Sequence, residues 1–222
     1  MINVPNSQKL NESKFVFEQS FKAMGFAPNS LKPMAHKNNI LGSFTILFAN
    51  IRGFADTNVT PLNALKMTVK NLMWGLKAKR AKHEEAPLYL KFLTAYMSSL
   101  AAGSRYCQAH SAHGAHHYGA ADDKIDNIWD FENSPAFSEA ERAALRFGFA
   151  AGSVPNLVTP EHIEDLKKHF TESQIVELVS MVALYGFLNR WNDSLGTQLE
   201  DEPMLFARRA LSKSGWEPEK HR

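Results

Sequence analysis

The chain has 222 residues, 44% apolar and 22% charged, enough for one ordinary folded domain with a buried core, and this excludes disorder and a fibrous repeat. Alanine and leucine number 48 together against 17 valines and isoleucines, which favours straight-chain helix formers over the β-branched residues of sheets, so an all-α fold is expected. A formal charge of +2, from 25 basic and 23 acidic side chains, leaves no whole-molecule field to gather nucleic acid or an anionic membrane.

The start, Met1-Ile2-Asn3-Val4-Pro5, has no basic stretch leading into an apolar one. No run approaches the roughly 20 apolar residues of a membrane span, so a cytoplasmic protein without membrane contact is expected. Phe15, Val16, Phe17 and Phe21 alternate with polar residues and predict a helix over 13–24 that Gly25 closes. Ser30 can cap a short helix, and Asn38 or Asn39 starts another with apolar residues from Ile40 to Ile51. Residues 53–58 read as a loop, and Thr60-Pro61 opens a long helix to about Lys79. Its end carries the basic cluster Lys77, Lys79, Arg80 and Lys82, which reads as a solvated face because no interleaved aromatics or glycine loop accompany it.

Pro87 opens a mostly buried helix through Leu100, and Ala101-Ala102-Gly103-Ser104 breaks it. A histidine-rich helix over 104–118 ends at Gly119, and Asp122 caps a short one toward Phe131. Ser138-Glu139-Ala140-Glu141 and Thr171-Glu172-Ser173-Gln174 are capping boxes, the first for a helix to Ala151 and the second for one that Gly196 terminates. Thr159-Pro160 begins a helix to His169, and Pro203 begins the last, ending near Gly215. With short loops and no internal repeat, one all-α domain over 1–222 is expected, residues 1–58 forming a packed extension or a lobe of their own.

Residues 104–117 hold the only cysteine, Cys107, and four of the nine histidines. A single sulfur excludes an intrachain disulfide and a four-cysteine zinc site. At about 100° per residue His110, His113 and His117 share one stripe of the helix, and Ser104, Cys107 and Ser111 a second. Near a helix N-terminus and three residues before His110, Cys107 is a candidate reactive thiol, set against the plainer reading of a small buried hydrophobe. The histidine stripe has a metal alternative, since imidazoles at this spacing can converge on one zinc or iron. No HExxH accompanies it, and hydrogen-bonded surface or subunit-contact histidines are the competing reading; no metal and no cofactor are expected.

The segments Gly25-Phe-Ala-Pro28-Asn29, Tyr106-Cys107-Gln-Ala-His110 and Asn189-Arg190-Trp191-Asn192-Asp193-Ser-Leu-Gly196, with the helix starts at Ser138 and Thr171, resemble the carboxymuconolactone decarboxylase superfamily, in particular its AhpD-like, peroxidase-related branch. The resemblance covers roughly residues 25–200. It implies an all-α fold assembled as a homo-oligomer, a trimer or hexamer, with the active site partly shaped by the neighbouring chain. It also implies a two-cysteine redox cycle assisted by a histidine and a glutamate. Cys107 matches the peroxide-attacking cysteine, while Ser104 stands in place of the first cysteine, Ser111 in place of a histidine, and Phe92, beside Lys91, near the place of the glutamate. The serine at 104 forbids the internal disulfide.

The expected function is therefore that of a one-cysteine thiol peroxidase or peroxide sensor: Cys107 attacks a small hydroperoxide, His110 and Ser104 assist, and an external thiol reductant restores the sulfur. The alternatives are a lyase acting on a small carboxylated substrate bound by His113 and Arg190, with His110 and His113 as acid–base candidates and the arginine holding the carboxylate, and an oligomeric binding protein whose catalytic positions are lost. The run 189–193 has its own plainer reading, capping and subunit contact.

Overall fold

The computed structural model describes residues 5–24, 29, 31–52, 60–80 and 85–222. Among these the fold is all-α, with no strand. Gly25 to Pro28, Ser30, the loop 53–58 and Lys82 of the basic cluster lie outside the described residues. No helix described is long and apolar enough to cross a membrane.

The chain divides into two compact units, residues 2–85 and 86–222, where the sequence suggested one domain with an extension ending at 58. The first unit holds α1 (Ser7–Glu12), α2 (Lys14–Met24), α3 (Leu31–Met34), α4 (Asn38–Arg52) and α5 (Pro61–Arg80). Val16, Leu31, Leu41, Met67 and Trp74 form its buried core.

The second unit holds α6 (Leu88–Ala101), α7 (Arg105–His117), α8 (Asp122–Asp126), α9 (Glu139–Gly152), α10 (Pro160–Lys167), α11 (Glu172–Leu195) and α12 (Asp201–Ala210). Helix α6 lies at its centre against α9, α7 and α11, which explains its apolar content on most sides. Leu93, Tyr96, Ala109, Ile125, Phe137 and Leu145 belong to the core so formed. Gly148 and Gly152, one turn apart on α9, let its backbone approach α6: a Cβ at Gly148 would stand 2.6 Å from the Thr94 carbonyl oxygen.

The local start signals operate as the residues dictate. Ser138 and Thr171 each close a capping box, and Gly196 ends α11 at φ 58°. Three helices differ in their bounds from the sequence reading. Asp122 is the first helical residue of α8 and Ala121 its N-cap; α10 stops at Lys167; and α12 starts at Asp201, with Pro203 in its first turn, and stops at Ala210 before a 3-10 turn at Ser212–Ser214. The last residues, Glu219–His221, form another 3-10 turn.

Candidate functional site

Gly103, at φ 76°, turns the chain from α6 into α7, and Ser104 becomes the N-cap of α7 with extended backbone. Cys107 thereby falls in the first helical turn, where unpaired backbone N–H groups favour negative charge. The thiol is enclosed, only 2% exposed, between Ala95 of α6 and Tyr185 of α11, with Phe92, Tyr106, Met181 and Leu188 around them. Two polar side chains favour the thiolate there: Asn192, whose Nδ2 stands 3.8 Å from Sγ, and Ser104, the N-cap residue one turn earlier. Burial pushes the Cys107 thiol up, those two side chains work against burial, and the Asp193 carboxylate adds to the upward push. The same burial, with Cys107 close by, raises the Tyr185 hydroxyl well above its usual range.

Ser104 does no capping with its side chain. Its hydroxyl donates instead to Asp193 Oδ1 at 3.2 Å. Asp193 is held in turn by His221, whose Nε2 lies 2.9 Å from the same oxygen and whose Nδ1 lies 2.7 Å from the Thr197 carbonyl. The surrounding C-terminal segment is pinned by several bonds: Lys220 Nζ donates to the Asp193 carbonyl at 2.7 Å, Arg105 Nε to Glu219 at 2.9 Å, and Trp216 Nε1 to the Arg105 carbonyl at 3.3 Å.

His110 sits elsewhere. Its Nε2 is 2.7 Å from Glu200 Oε2, its ring stacks on Tyr106 at 4.4 Å, and the Tyr106 hydroxyl donates to the same carboxylate at 3.1 Å. Burial pushes the Glu200 carboxyl up, but hydrogen bonds from its own N–H, His110 and Tyr106 outweigh it and hold the carboxyl below its ordinary value. The Tyr106 hydroxyl, partly buried and facing that carboxylate, is pushed up to about 12. His110 therefore has Glu200 as its partner in place of the thiol.

His113 and His116 pack on Phe206 and pair with Glu202 at 3.4 Å and Asp122 at 3.1 Å, beside a cavity of about 690 Å³ that His117 also lines. The stripe His110, His113, His117 does not converge, because each ring has a neighbour of its own. Among the described residues no group of three or more His, Cys, Asp or Glu side chains could hold a metal ion. Ser111 donates back to the Cys107 carbonyl and serves the helix. Phe92 stacks on Tyr118 with ring centres 5.2 Å apart, and Lys91 pairs with Glu177 at 2.7 Å.

Arg190 lies on the far side of α11 from Cys107, its guanidinium donating to the Gly186 carbonyl at 2.9 Å. It lines a cavity of about 1010 Å³ whose wall includes Gly152, Val182, Phe187, Asn189 and Asp193 but not Cys107. Of the sequence-derived candidates, then, Ser104 and Cys107 come together while His110, His113 and Arg190 stand apart. The residues the sequence reading did not assign to the thiol's surroundings are Tyr185, Asn192, Asp193 and His221, and the carboxylate it lacked for His110 is Glu200. Asn192 and Asp193 were visible as part of the polar run 189–193; Glu200 and His221 carry no local signal.

No family model matches the chain. A stretch of 73 residues, 33% of the chain, is 32% identical to the uncharacterized protein YnjA of Escherichia coli (strain K12), and the chain spans 40% of the length of that curated relative. Two solved structures are similar over nearly the whole chain. The apo debrominase Bmp8 is 27% identical, with 91% of this chain and 94% of that one covered at a TM-score of 0.52. A cysteine-to-alanine variant of the debrominase Bmp8 in complex with 2,3,4-tribromopyrrole is 28% identical, with 96% of each chain covered at a TM-score of 0.54. The chain thus shares an all-helical architecture with a debrominase, a likeness compatible with a cysteine-dependent enzyme.

Proposed function

We propose that the chain is a member of the AhpD-like branch and that its 86–222 unit is a one-cysteine, thiol-dependent reductase, in which Cys107 Sγ takes an electrophilic atom from a small molecule. The observation that carries this reading is the setting of the single cysteine: the first turn of a helix, the Asn192 amide 3.8 Å from Sγ, and aromatic rings around it. The likeness to Bmp8, whose cysteine variant was captured with a brominated pyrrole, favours a small halogenated aromatic as substrate. A hydroperoxide, expected from the family resemblance, uses the same half-reaction.

With an aryl bromide the thiolate attacks bromine, the C–Br bond breaks, an S–Br bond forms and the ring carbon takes a proton. An external thiol then attacks the Cys107 sulfur and releases bromide as a mixed disulfide forms, and a second thiol frees Cys107. With a hydroperoxide the O–O bond breaks, S–O forms and the leaving alkoxide takes the proton, leaving a sulfenic acid for the same two thiols. The serine at 104 makes the external thiol necessary in both cases. The lyase alternative receives less support, since His110 and Arg190 do not share a compartment.

The test is turnover of 2,3,4-tribromopyrrole and of an organic hydroperoxide with excess small thiol, read as bromide release and peroxide loss. Intact mass of Cys107 is followed in parallel. Cys107→Ala is expected to abolish both activities; bromide release or peroxide loss that survives it sinks the reading. The near-complete enclosure of Cys107 supports one other reading, a non-catalytic protein. A thiol inert to both substrates in the folded chain would establish that one.

The homo-oligomer that the resemblance implies belongs to the same proposal. The outer face of α11 exposes Leu184, Phe187, Trp191 and Leu195 at helical spacing, and a second copy of this self-complementary face would cover it.

A further inference from the structure

We propose that the cavity of about 1010 Å³ lined from α6, α9, α10 and α11 is a binding site for a small apolar carboxylate, held by Arg190, Asn189 and Ser98. The inference goes beyond the thiol-reductase reading and does not depend on it, since Cys107 is not in the cavity wall.

Its first support is a pair of polar atoms that the fold leaves over. Ser98 and Asn189 both stand in the wall, 1% and 4% exposed, and Ser98 Oγ and Asn189 Nδ2 have no hydrogen-bond partner among the described residues. Buried polar groups are nearly always paired, and one left unpaired is costly. A helical serine or threonine often finds its partner one turn back, and in the same unit Thr94, Ser111 and Ser180 each donate to the carbonyl four residues earlier. Ser98 does not. The Asn189 amide is fixed from its other end: Oδ1 accepts from the Ser99 hydroxyl at 3.1 Å, so what is left over is the NH2 group, which can only donate.

The second support is charge. Arg190 and Asp193 are the only charged side chains among those lining the cavity. The Arg190 guanidinium is anchored through Nη1 to the Gly186 carbonyl, a neutral acceptor that leaves its charge unmatched. Asp193 already has its Oδ1 on the Ser104 hydroxyl and on His221 Nε2. The groups still to be matched are therefore donors, one of them cationic, and their complement is an acceptor with a single negative charge. A planar carboxylate offers two oxygens to an arginine and an amide at once, whereas a doubly charged phosphate would meet the Asp193 carboxylate. Phe147, Ile163 and Val182 line the cavity as well, so the body of the ligand is apolar.

The test is isothermal titration calorimetry of the full chain with octanoate and benzoate, each set against the alcohol of the same body, octan-1-ol and benzyl alcohol. At least one carboxylate is expected to bind, about tenfold or more tighter than its alcohol. Arg190→Gln, at an exposed side chain that bonds only its own helix, is expected to fold and to erase that preference. Asn189→Asp keeps the acceptor for Ser99 and turns the donor into a second acceptor, so it is expected to weaken the carboxylate about tenfold and leave the alcohol unchanged. Ser98→Ala is expected to weaken the carboxylate about threefold. Absence of binding, carboxylates that bind no tighter than their alcohols, or a preference that survives Arg190→Gln each overturn the site. Sedimentation of the same samples covers the competing use of this wall: if Arg190→Gln changes the assembly as it loses binding, the arginine holds a second copy of the chain and the proposal falls. Bromide release, peroxide loss and the mass of Cys107 do not enter the readout. An intact carboxylate preference in a protein inert to bromopyrrole and hydroperoxide would sink the reductase reading alone, and turnover without that preference would sink the carboxylate site alone.

Discussion

At the scale of single residues, the clearest electrostatic commitment outside the thiol's surroundings is Glu141. It is buried and accepts from Lys124 Nζ at 2.8 Å, the Tyr89 hydroxyl at 2.9 Å and the Ser138 N–H at 2.8 Å. Burial pushes its carboxyl up, and the hydrogen bonds from Lys124, Ser138 and Tyr89 outweigh burial, so it sits below its ordinary value of 4.5. A lowered folded value means the contribution is fully present above the unfolded pKa and disappears as pH falls through the folded one. Glu141→Ala, which leaves Lys124 without its partner, is expected to cost about 3 kcal/mol in urea unfolding at neutral pH and to flatten the acid limb of the stability curve. Asn192→Ala removes one of the two side chains that oppose burial at Cys107, so the midpoint of thiol alkylation is expected to rise; a falling midpoint would show that Asn192 does not favour the thiolate. The sequence marked Ser138 and Glu141 as a capping pair, because that interaction spans three residues. It could not show that Lys124 and Tyr89 complete the same cluster from two other helices.

At the scale of elements, the packing of α9 on α6 depends on the absence of side chains at Gly148 and Gly152. Gly152→Val places carbons against the Ser98 backbone, which cannot yield as a flexible side chain would. The expected loss is about 2 kcal/mol or more in chemical denaturation, with Gly75→Ala, where a Cβ meets nothing within 4 Å, as the tolerated control. The two glycines are plain in the sequence, but only the crossing of α9 over α6 shows why a Cβ is excluded there. Helix α7 makes the same point for function. Its histidines and its cysteine could be placed on stripes by counting residues, and that geometry holds, yet each stripe is defined by what another element sets against it. Helix α12 and the turn before it supply Glu200, Glu202 and Phe206, and these separate the imidazoles that counting had grouped.

At the scale of the whole molecule, α11 carries apolar residues on both sides. One face packs on α6 and α7, while Leu184, Phe187, Trp191 and Leu195 are turned outward, Trp191 at 56% and Leu195 at 66% exposure. A helix apolar all round is the pattern of a buried one. Sedimentation of the full chain is expected to give a homo-oligomer, and Trp191→Glu to shift it toward monomer with the helical signal unchanged; a parent chain that sediments as a monomer would remove the assembly from the proposal.

What the sequence determined by itself is what depends on neighbours within a few positions: the helical class, through the excess of alanine and leucine, and the helix ends, through Ser138, Thr171, Pro160 and Gly196. It also singled out Cys107 and Ser104, because the sulfur is unique and the serine lies one turn before it. Only the tertiary structure decided what meets the thiol. Asn192 reaches Sγ across 85 positions of chain, Ser104 reaches Asp193 across 89, and His221 folds back 28 positions to hold that aspartate. Contacts of that span leave no periodicity and no cap signal, since they are set by how α6, α7, α11 and the C-terminal segment pack together.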